Sequence, residues 1–262
     1  MKHLTALRYV APLREGGSMP AIVEADDNRL WVLKFRGAGQ GRKALIAELV
    51  AGEIARLLGL PVPELVFMEL DARLGISEPD AEIRSLILAS VGLNLAMRYL
   101  PSALTFDPLA SLAAQRLTPL LASQIVWFDA LVTNIDRTAK NPNLLISQRQ
   151  LWLIDHGAAF YFHHTWQNHM QRSQQPFAAI TDHVLIRFAT VVAEIDASLA
   201  AHLDAQSLQA LVAMIPDAWL TDEPPFATPD AVRAAYLDYL LARSAAPRDF
   251  VTEAIRAHAR TV

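Results

Sequence analysis

The sequence predicts an α+β fold with a small β-rich lobe at residues 1–100 and a larger helical lobe at residues 101–262. Segments with strand character dominate the first hundred residues. From about residue 105 the apolar residues recur at helical spacing, and alanine and leucine prevail. The chain of 262 residues is long enough to bury the core of one large domain or of two modest lobes.

The first lobe is expected to begin with strands between residues 6 and 36. The segment "PAIVEADDNRLWVLKF" contains two β-rich runs around "ADDN", whose Asp and Asn residues favour a hairpin turn. The run "GRKALIAELVAGEIARLLGL" predicts a helix that Gly59 and the prolines after it end. The runs "ELVFMEL" and "GLNLAMRYLP" predict two more strands, with a helix between them that begins within "SEPDAEIRS".

The second lobe is expected to be helical with one β-hairpin. The runs "NLLIS" and "LWLID", separated by "QRQ", predict this hairpin. Apolar residues at helical spacing predict helices at 108–117, 119–133, 178–203, 205–215 and 229–260.

Composition and charge exclude several classes of protein. Hydrophobic residues make up 53% of the chain and charged residues 19%, which is typical of a globular protein. A net charge of −4 provides no positive field for a phosphate backbone, so no direct nucleic-acid partner is expected. The absence of cysteine excludes disulfide frameworks and thiolate zinc sites. No segment has the pattern of a signal peptide or a membrane span, so a cytoplasmic protein without a membrane partner is expected.

Three polar residues flank the predicted hairpin of the helical lobe. Asp136 and Asn141 lie in the loop before its first strand, and Asp155 follows its second strand. Because antiparallel strands return the chain to its starting end, these side chains are expected to meet. Carboxylate and amide oxygens suit Mg²⁺ better than zinc. The alternative is that each residue only forms a turn or caps an element, which explains one such residue better than it explains three.

A lysine within a predicted strand forms a second candidate group. Lys34 lies in "LWVLKF", where a solvated charge would be out of place if both faces of the sheet are covered. Glu48 on the following helix can pair with Lys34 and hold it toward nucleotide phosphates. Glu53 is a rival partner on spacing alone. The alternative places Lys34 and Glu48 on exposed faces.

Together these motifs resemble the signature set of protein kinases, with "VLKF" and a helix glutamate, then "DRTAKN", then "DHG". More closely, "AELVAGEIARLLGLPVPE" and "NIDRTAKNPNLL" are similar to a helix and the catalytic loop of the HipA-like kinases, the bacterial toxin-type serine/threonine kinases. The resemblance spans roughly residues 14–160. It implies a bilobal, protein-kinase-like fold.

The resemblance also implies a role for each candidate residue. Asp136 would orient the attacking hydroxyl and accept its proton. Asn141 and Asp155 would hold Mg²⁺ against the phosphates of ATP, while Lys34, paired with Glu48, would contact the inner phosphates. A phosphate-covering turn and a connector against the adenine ring would complete the nucleotide site, with Gly16, Gly17 and Ser18 in the turn and Tyr99 and Leu100 in the connector.

The implied activity is ATP- and Mg²⁺-dependent transfer of the γ-phosphate to a hydroxyl, expected to be that of a serine or threonine on a protein. A small-molecule or lipid kinase is the alternative among enzymes, because the same catalytic residues serve those substrates. A nucleotide-binding pseudokinase that acts as a partner-binding module is the alternative from another class. Retention of Lys34, Asp136, Asn141 and Asp155 argues against it. The resemblance leaves open an antitoxin partner and autophosphorylation of Ser18, for which the simpler interpretation is a turn former.

Two further features have structural interpretations. The histidines of "FHHTWQNH", namely His163, His164 and His169, invite a metal site, but a flexible polar segment or a substrate-contacting loop is favoured because no carboxylate interrupts them. Arg137 is expected to pair with an acid and steady the loop that carries Asp136.

Overall fold

The computed structural model describes residues 1–13, 19–39, 41–76, 78–110 and 116–261, and within them the fold is a mixture of strands and helices. The strands are β1 (His3–Pro12), β2 (Ala21–Ala25), β3 (Leu30–Lys34), β4 (Leu65–Leu70), β5 (Gly92–Arg98), β6 (Leu104–Thr105), β7 (Leu144–Ser147) and β8 (Gln150–Leu153). The α-helices are α1 (Gly41–Leu57), α2 (Ala81–Ala89), α3 (Pro119–Val132), α4 (His169–Ser173), α5 (Val192–Ala200), α6 (Ala205–Val212), α7 (Pro229–Ser244) and α8 (Asp249–Ala259).

The first five strands close into a barrel in the order β1-β2-β3-β5-β4. Closure follows because β1 pairs antiparallel with β2 on one side and parallel with β4 on the other. Alternate residues of each strand point inward, and Val23, Leu33 and Val66 are fully buried in a core of the barrel strands and α2. The predicted hairpin is confirmed, since β2 and β3 pair antiparallel.

Helix α1 is buried on nearly all sides and ends as its sequence predicts. Gly59 has a φ of +73°, a left-handed conformation that glycine adopts without a Cβ penalty. The Leu60 N–H donates to the Ala55 carbonyl at 2.9 Å, and the Gly59 N–H donates to the Arg56 carbonyl at 3.0 Å. These two bonds form a Schellman motif, which satisfies the carbonyl groups at the helix end.

Helix α3 lies at the centre of the larger hydrophobic core, where Trp127 and Phe128 are fully buried. The Thr118 hydroxyl accepts a hydrogen bond from the Leu121 N–H and caps the start of this helix. Strands β6, β7 and β8 form a separate antiparallel sheet, and the predicted β7/β8 hairpin is confirmed. The chain therefore leaves α3, passes through the loop that contains Asp136 and enters this hairpin.

Two predicted helices differ from the structure. The predicted helix at 178–203 is broken into two 3₁₀ turns and α5, because His183 and Val184 form backbone contacts with the Asp136 loop instead of continuing a helix. The predicted helix at 229–260 is two helices, α7 and α8, separated at Pro247, which has no N–H for a helical bond. Residues 111–115 of a third predicted helix, at 108–117, lie outside the described residues. None of the described helices has the length and apolar character needed to cross a bilayer.

A buried arginine ties the end of α3 to α4 and α7. The Arg243 guanidinium donates to the carbonyls of Leu131 at 2.6 Å and Ala130 at 2.7 Å, at the end of α3. It also donates to the carbonyl of Ser173 at 2.9 Å. Carbonyl groups at a helix C-terminus stabilise a cation, so this charge can be buried without a carboxylate partner.

We predict that Arg243→Met lowers the free energy of unfolding by about 3 kcal/mol or more, because several buried carbonyls lose a charged donor. Urea denaturation measures this change. The control is Arg256→Met, which removes an exposed arginine that pairs with Glu253 on α8 and should cost under about 1 kcal/mol. Equal losses in the two variants would contradict the assigned role of Arg243.

Candidate active site

Lys34 lies between two carboxylates from distant parts of the chain. Its Nζ is 2.6 Å from Glu48 Oε2 and 2.7 Å from Asp155 Oδ1. The Lys34 side chain is 12% exposed, so its charge is largely removed from water. The expected partnership of Lys34 with Glu48 is confirmed by this contact. Glu53 instead forms an ion pair with Arg56 on its own helix.

Burial and charge act in opposite directions on this cluster. Burial by itself would lower the pKa of Lys34, but the charges of Asp155 and Glu48 outweigh it and raise that pKa above its ordinary value. Burial would raise the pKa of Glu48, but the Lys34 charge and contacts from His156 hold it far below its usual range. Lys34 and Glu48 are therefore both charged at neutral pH.

The local backbone structure positions each of the three charged residues, Lys34, Glu48 and Asp155. Lys34 ends β3, on the face opposite to the barrel-facing Leu33. Glu48 is 2% exposed within α1, and its Oε2 also accepts the His156 backbone N–H at 2.6 Å. Asp155 follows β8 with a φ of +54°, a left-handed conformation that Asp tolerates better than most residues. Glu48 thus fixes both Lys34 and the backbone just after Asp155.

Asp136 lies in a network of side-chain amides. Asn141 Nδ2 donates to Asp136 Oδ2 at 2.8 Å, and Asn143 Nδ2 donates to the same oxygen at 3.2 Å. The Asp136 backbone N–H donates to Asn134 Oδ1 at 3.2 Å. The structure therefore brings Asp136 and Asn141 together, as expected, and adds Asn143, which the sequence reasoning missed.

A buried ion pair between Arg137 and Asp129 anchors the loop that carries Asp136. Arg137 Nε donates to Asp129 Oδ2 at 2.5 Å, and both side chains are fully buried. Asn134 Nδ2 donates to Asp129 Oδ1 at 2.8 Å, which ties the start of the loop to the same carboxylate. The expectation that Arg137 pairs with an acid is confirmed.

His183, which lies 54 residues after Asp129 in the sequence, completes this network. Its Nδ1 accepts the Leu185 N–H at 3.0 Å, so in the neutral ring the hydrogen is on Nε2, which donates to Asp129 Oδ2 at 2.9 Å. Burial lowers the pKa of His183 below its ordinary value even though Asp129 opposes this shift. Burial would raise the pKa of Asp129, but Arg137 and His183 hold it well below its usual range.

The two predicted loops meet at the open end of the hairpin. The Arg137 guanidinium donates to the Asn143 carbonyl and, at 3.3 Å, to the Ile154 carbonyl. The Ile154 N–H also donates to the Asn143 carbonyl at 3.1 Å. One arginine therefore connects the Asp136 loop to the residue that precedes Asp155, as the return of antiparallel strands requires.

An apolar patch continues the face that carries Lys34. Val32 lies two residues before Lys34 on the same face of β3, and its partner Met97 lies beside it on β5. Tyr99 and Ile154 pack against this pair. Tyr99 directly follows β5, and Leu100 is half-buried directly after it. Their role as a connector against an adenine ring stays a prediction.

The predicted phosphate-covering turn lies outside the described residues, since Gly16, Gly17 and Ser18 fall within residues 14–18. The residues on either side of this range are described. The Leu13 N–H donates to the Pro20 carbonyl at 2.7 Å, which extends the pairing of β1 and β2. Leu13 also packs on the apolar patch around Val32. Leu13, the last described residue before this range, therefore lies beside the face that carries Lys34.

The donor set fits a magnesium ion. Asn141 directs its Nδ2 toward Asp136, so its carbonyl oxygen is not used in that bond. Asp155 pairs with Lys34 through Oδ1 and is 40% exposed, so its second oxygen can reach a ligand. One carboxylate and one amide oxygen match Mg²⁺, which keeps several waters and takes up phosphate oxygens in kinase sites.

Two of the histidines after Asp155, His163 and His169, are in contact with other parts of the fold. His163 is buried with Nδ1 2.7 Å from Tyr236 Oη, and burial holds its pKa well below its ordinary value. His169 Nδ1 is 3.1 Å from the Trp166 carbonyl. Within the described ranges there is no group of three or more His, Cys, Asp or Glu side chains arranged to hold a metal ion.

The residues that sequence reasoning missed carry weak local signals. Asn143 has a φ of +47°, and the "NPN" run is consistent with such a turn residue. Asp129 is an acid inside a strongly apolar helix, which is a signal that it has a buried partner. His183 lies in a segment with helical spacing, and nothing in its neighbours indicates a contact with Asp129.

Comparison with known proteins identifies a family and a shared fold. The family model described as HipA-like kinase matches residues 8–252. The crystal structure of the Helicobacter pylori proinflammatory kinase CtkA is 11% identical, covers 98% of this chain and 99% of its own, and gives a TM-score of 0.52. The Golgi casein kinase with Mn/ADP bound is 12% identical, with 98% of this chain and 73% of the other chain covered and a TM-score of 0.52. These two kinases share the fold of this chain. No curated protein gives a significant match.

We predict that Asp129→Asn makes the chain less stable at neutral pH but less sensitive to acid. The depressed pKa of Asp129 means that its contribution is present above the unfolded pKa of ~3.9 and is lost as pH falls through the lower folded value. The variant should lose about 3–5 kcal/mol at pH 7. Below about pH 4 its stability should fall less steeply than that of wild type, by up to ~1.4 kcal/mol per pH unit.

Urea denaturation at pH 7, 5, 4 and 3 measures both effects. The control is Asp238→Asn, which removes an exposed carboxylate of α7 and should follow the wild-type curve. Parallel loss of stability in wild type and Asp129→Asn as pH falls would show that Asp129 is not held ionised by Arg137 and His183.

Proposed function

This chain belongs to the HipA-like kinase family, and we propose that it is an ATP- and Mg²⁺-dependent serine/threonine protein kinase. The observation that carries the proposal is the pair of contacts from Lys34 to Glu48 and Asp155, together with the Asp136 loop held against the same hairpin. Phosphoryl transfer needs positioning and charge neutralisation more than covalent chemistry, so a few well-held polar groups are sufficient.

Asp136 is the proposed catalytic base. Hydrogen bonds from Asn141 and Asn143 to its Oδ2 fix the orientation of the carboxylate and leave Oδ1 for the acceptor hydroxyl. Oδ1 would accept the hydroxyl hydrogen as the oxygen attacks the γ-phosphorus and the bond from that phosphorus to the β,γ-bridging oxygen breaks, which releases ADP. A buried network of Asp129, Arg137 and His183 holds the loop in this position. Its members would not contact the reacting atoms.

Lys34 is the proposed phosphate ligand of the chain. Its charge neutralises inner phosphate oxygens, while Glu48 keeps the ammonium from turning away. Asn141 and Asp155 would hold Mg²⁺, which would supply positive charge to the phosphates when bound. The apolar patch of Val32, Met97, Tyr99 and Ile154 lies beside Lys34 and is suited to one face of an adenine ring. Mn/ADP in the similar Golgi casein kinase supports nucleotide and divalent metal as the ligands.

We further propose that the chain is bilobal, with a nucleotide-covering lobe at residues 1–100 and a helical lobe with the catalytic and metal-binding loops at 101–262. The barrel has an apolar core of its own, and a second, larger core contains residues of α3 and of the helices α5 to α8 together with α1, which packs against them. In this arrangement Tyr99 and Leu100 form the connector, and Gly16, Gly17 and Ser18 cover the phosphates. Lys34 and Asp155 then meet across the cleft between the lobes.

We predict that Asp136→Asn lowers the rate of phosphoryl transfer by at least ~100-fold, because the amide cannot accept the hydroxyl proton. Nucleotide affinity should change by less than ~3-fold, since Asp136 does not contact the phosphates in this proposal. The measurement is transfer of label from γ-³²P ATP with Mg²⁺, to the chain itself and to cell lysate, alongside titration with a fluorescent ADP analogue.

The control is Asp238→Asn, an exposed acid on α7 that should label acceptors at the wild-type rate. Asp136-dependent label on a protein supports the proposal. Label on a lipid or a small molecule would instead make the chain a kinase of that substrate class. Nucleotide binding by wild type without any labelled product would contradict the proposal and favour a pseudokinase.

A further inference from the structure

A concave site opens beside the loop that carries Asp136. It has a volume of about 230 Å³. We call it the Phe177 pocket. Its principal lining residues are Ile135, Tyr161, Phe162, Arg172, Phe177 and Tyr239. Phe162, Phe177 and Tyr239 are buried and form its floor, whereas the other three reach solvent at its mouth.

Two large side chains at the mouth of the Phe177 pocket, Ile135 and Tyr161, are exposed to solvent although they are largely apolar. Ile135 is 46% exposed and Tyr161 is 55% exposed. Large apolar side chains left in water around a concave site are typical of a binding surface. The pocket is therefore suited to one large apolar side chain of a ligand.

The pocket lies close to Asp136, and this position restricts the kinds of ligand that can use both. Ile135 directly precedes Asp136, so their Cα atoms are about 3.8 Å apart. An extended peptide advances ~3.3 Å per residue. A peptide with its hydroxyl at Asp136 can thus place a side chain in the pocket when that side chain lies within about three residues of the hydroxyl.

Arg172 adds a charge requirement at the mouth. Its guanidinium lies 5.9 Å from the centre of the Tyr161 ring, in a cation–π contact. No carboxylate of the described residues forms an ion pair with it, in contrast to Arg137, Arg233 and Arg248. A guanidinium that has a ring contact but no carboxylate partner among the described residues favours a ligand that brings an acidic group next to its apolar one.

We propose that the Phe177 pocket selects the acceptor segment of a protein substrate. The segment is extended and carries a large apolar side chain within about three residues of the acceptor serine or threonine, with an acidic residue beside that side chain. This inference rests on the proposed protein-kinase function and adds its substrate class. Tyr161 and Arg172 are specificity residues in this account and take no part in the chemistry.

The test uses the full chain and a set of synthetic serine and threonine peptides in which each flanking position is varied in turn. Wild type should favour leucine, methionine or phenylalanine at one position within three residues of the hydroxyl, and aspartate or glutamate next to it. Arg172→Glu should change the ratio of kcat/KM for acidic over basic peptides by at least ~10-fold toward the basic ones. Tyr161→Ser should lower kcat/KM for the apolar peptides by at least ~10-fold, mainly through KM.

The control is Arg149→Glu, the same charge reversal at the exposed turn between β7 and β8, which should leave the peptide preference unchanged. Equal labelling of all peptides by wild type, or an unchanged preference in Arg172→Glu, would overturn the inference and leave the proposed kinase activity in place. Label on lipid vesicles or small molecules but on no peptide would also overturn it. Failure of wild type to bind ATP would overturn the proposed function as well.

Discussion

A single buried ammonium group holds three distant parts of this chain together. Lys34 belongs to the barrel, Glu48 to helix α1 and Asp155 to the exit of the β7/β8 hairpin. A lysine charge removed from water is costly unless anionic partners surround it, and loss of one partner in such a cluster typically costs about 3–5 kcal/mol. Lys34 therefore links the barrel, helix α1 and the exit of the hairpin through its contacts with Glu48 and Asp155.

The two carboxylates around Lys34 are not equivalent. Glu48 is nearly inaccessible to water and also accepts the His156 backbone N–H, so it is a fixed part of the fold. Asp155 is 40% exposed and uses one oxygen for Lys34. A ligand cation that arrives from solvent can thus engage Asp155 while Glu48 keeps Lys34 in place. This asymmetry is what a site needs if its lysine is to turn from a protein carboxylate to a phosphate group without losing its anchor.

The sequence predicted those parts of the site that depend on local pattern. The hairpin could be predicted from alternation and turn residues, and the meeting of the Asp136 loop with the residue before Asp155 follows from antiparallel pairing. Glu48 and Glu53 lie about 140° apart around a helix, so only the packing of α1 on the barrel decides which one meets Lys34. His183 could not be predicted, because its contact with Asp129 depends on long-range packing that also breaks the helical pattern around it.

We propose that Lys34 and Glu48 act as one unit in holding a nucleotide. A double-mutant cycle on Mg²⁺–ADP affinity tests this proposal, with calorimetric titration of wild type, Lys34→Met, Glu48→Gln and the double variant. If Glu48 acts only through Lys34, the double variant binds within about 3-fold of Lys34→Met alone. Losses that multiply, so that Glu48→Gln weakens binding as much without Lys34 as with it, would contradict the proposal.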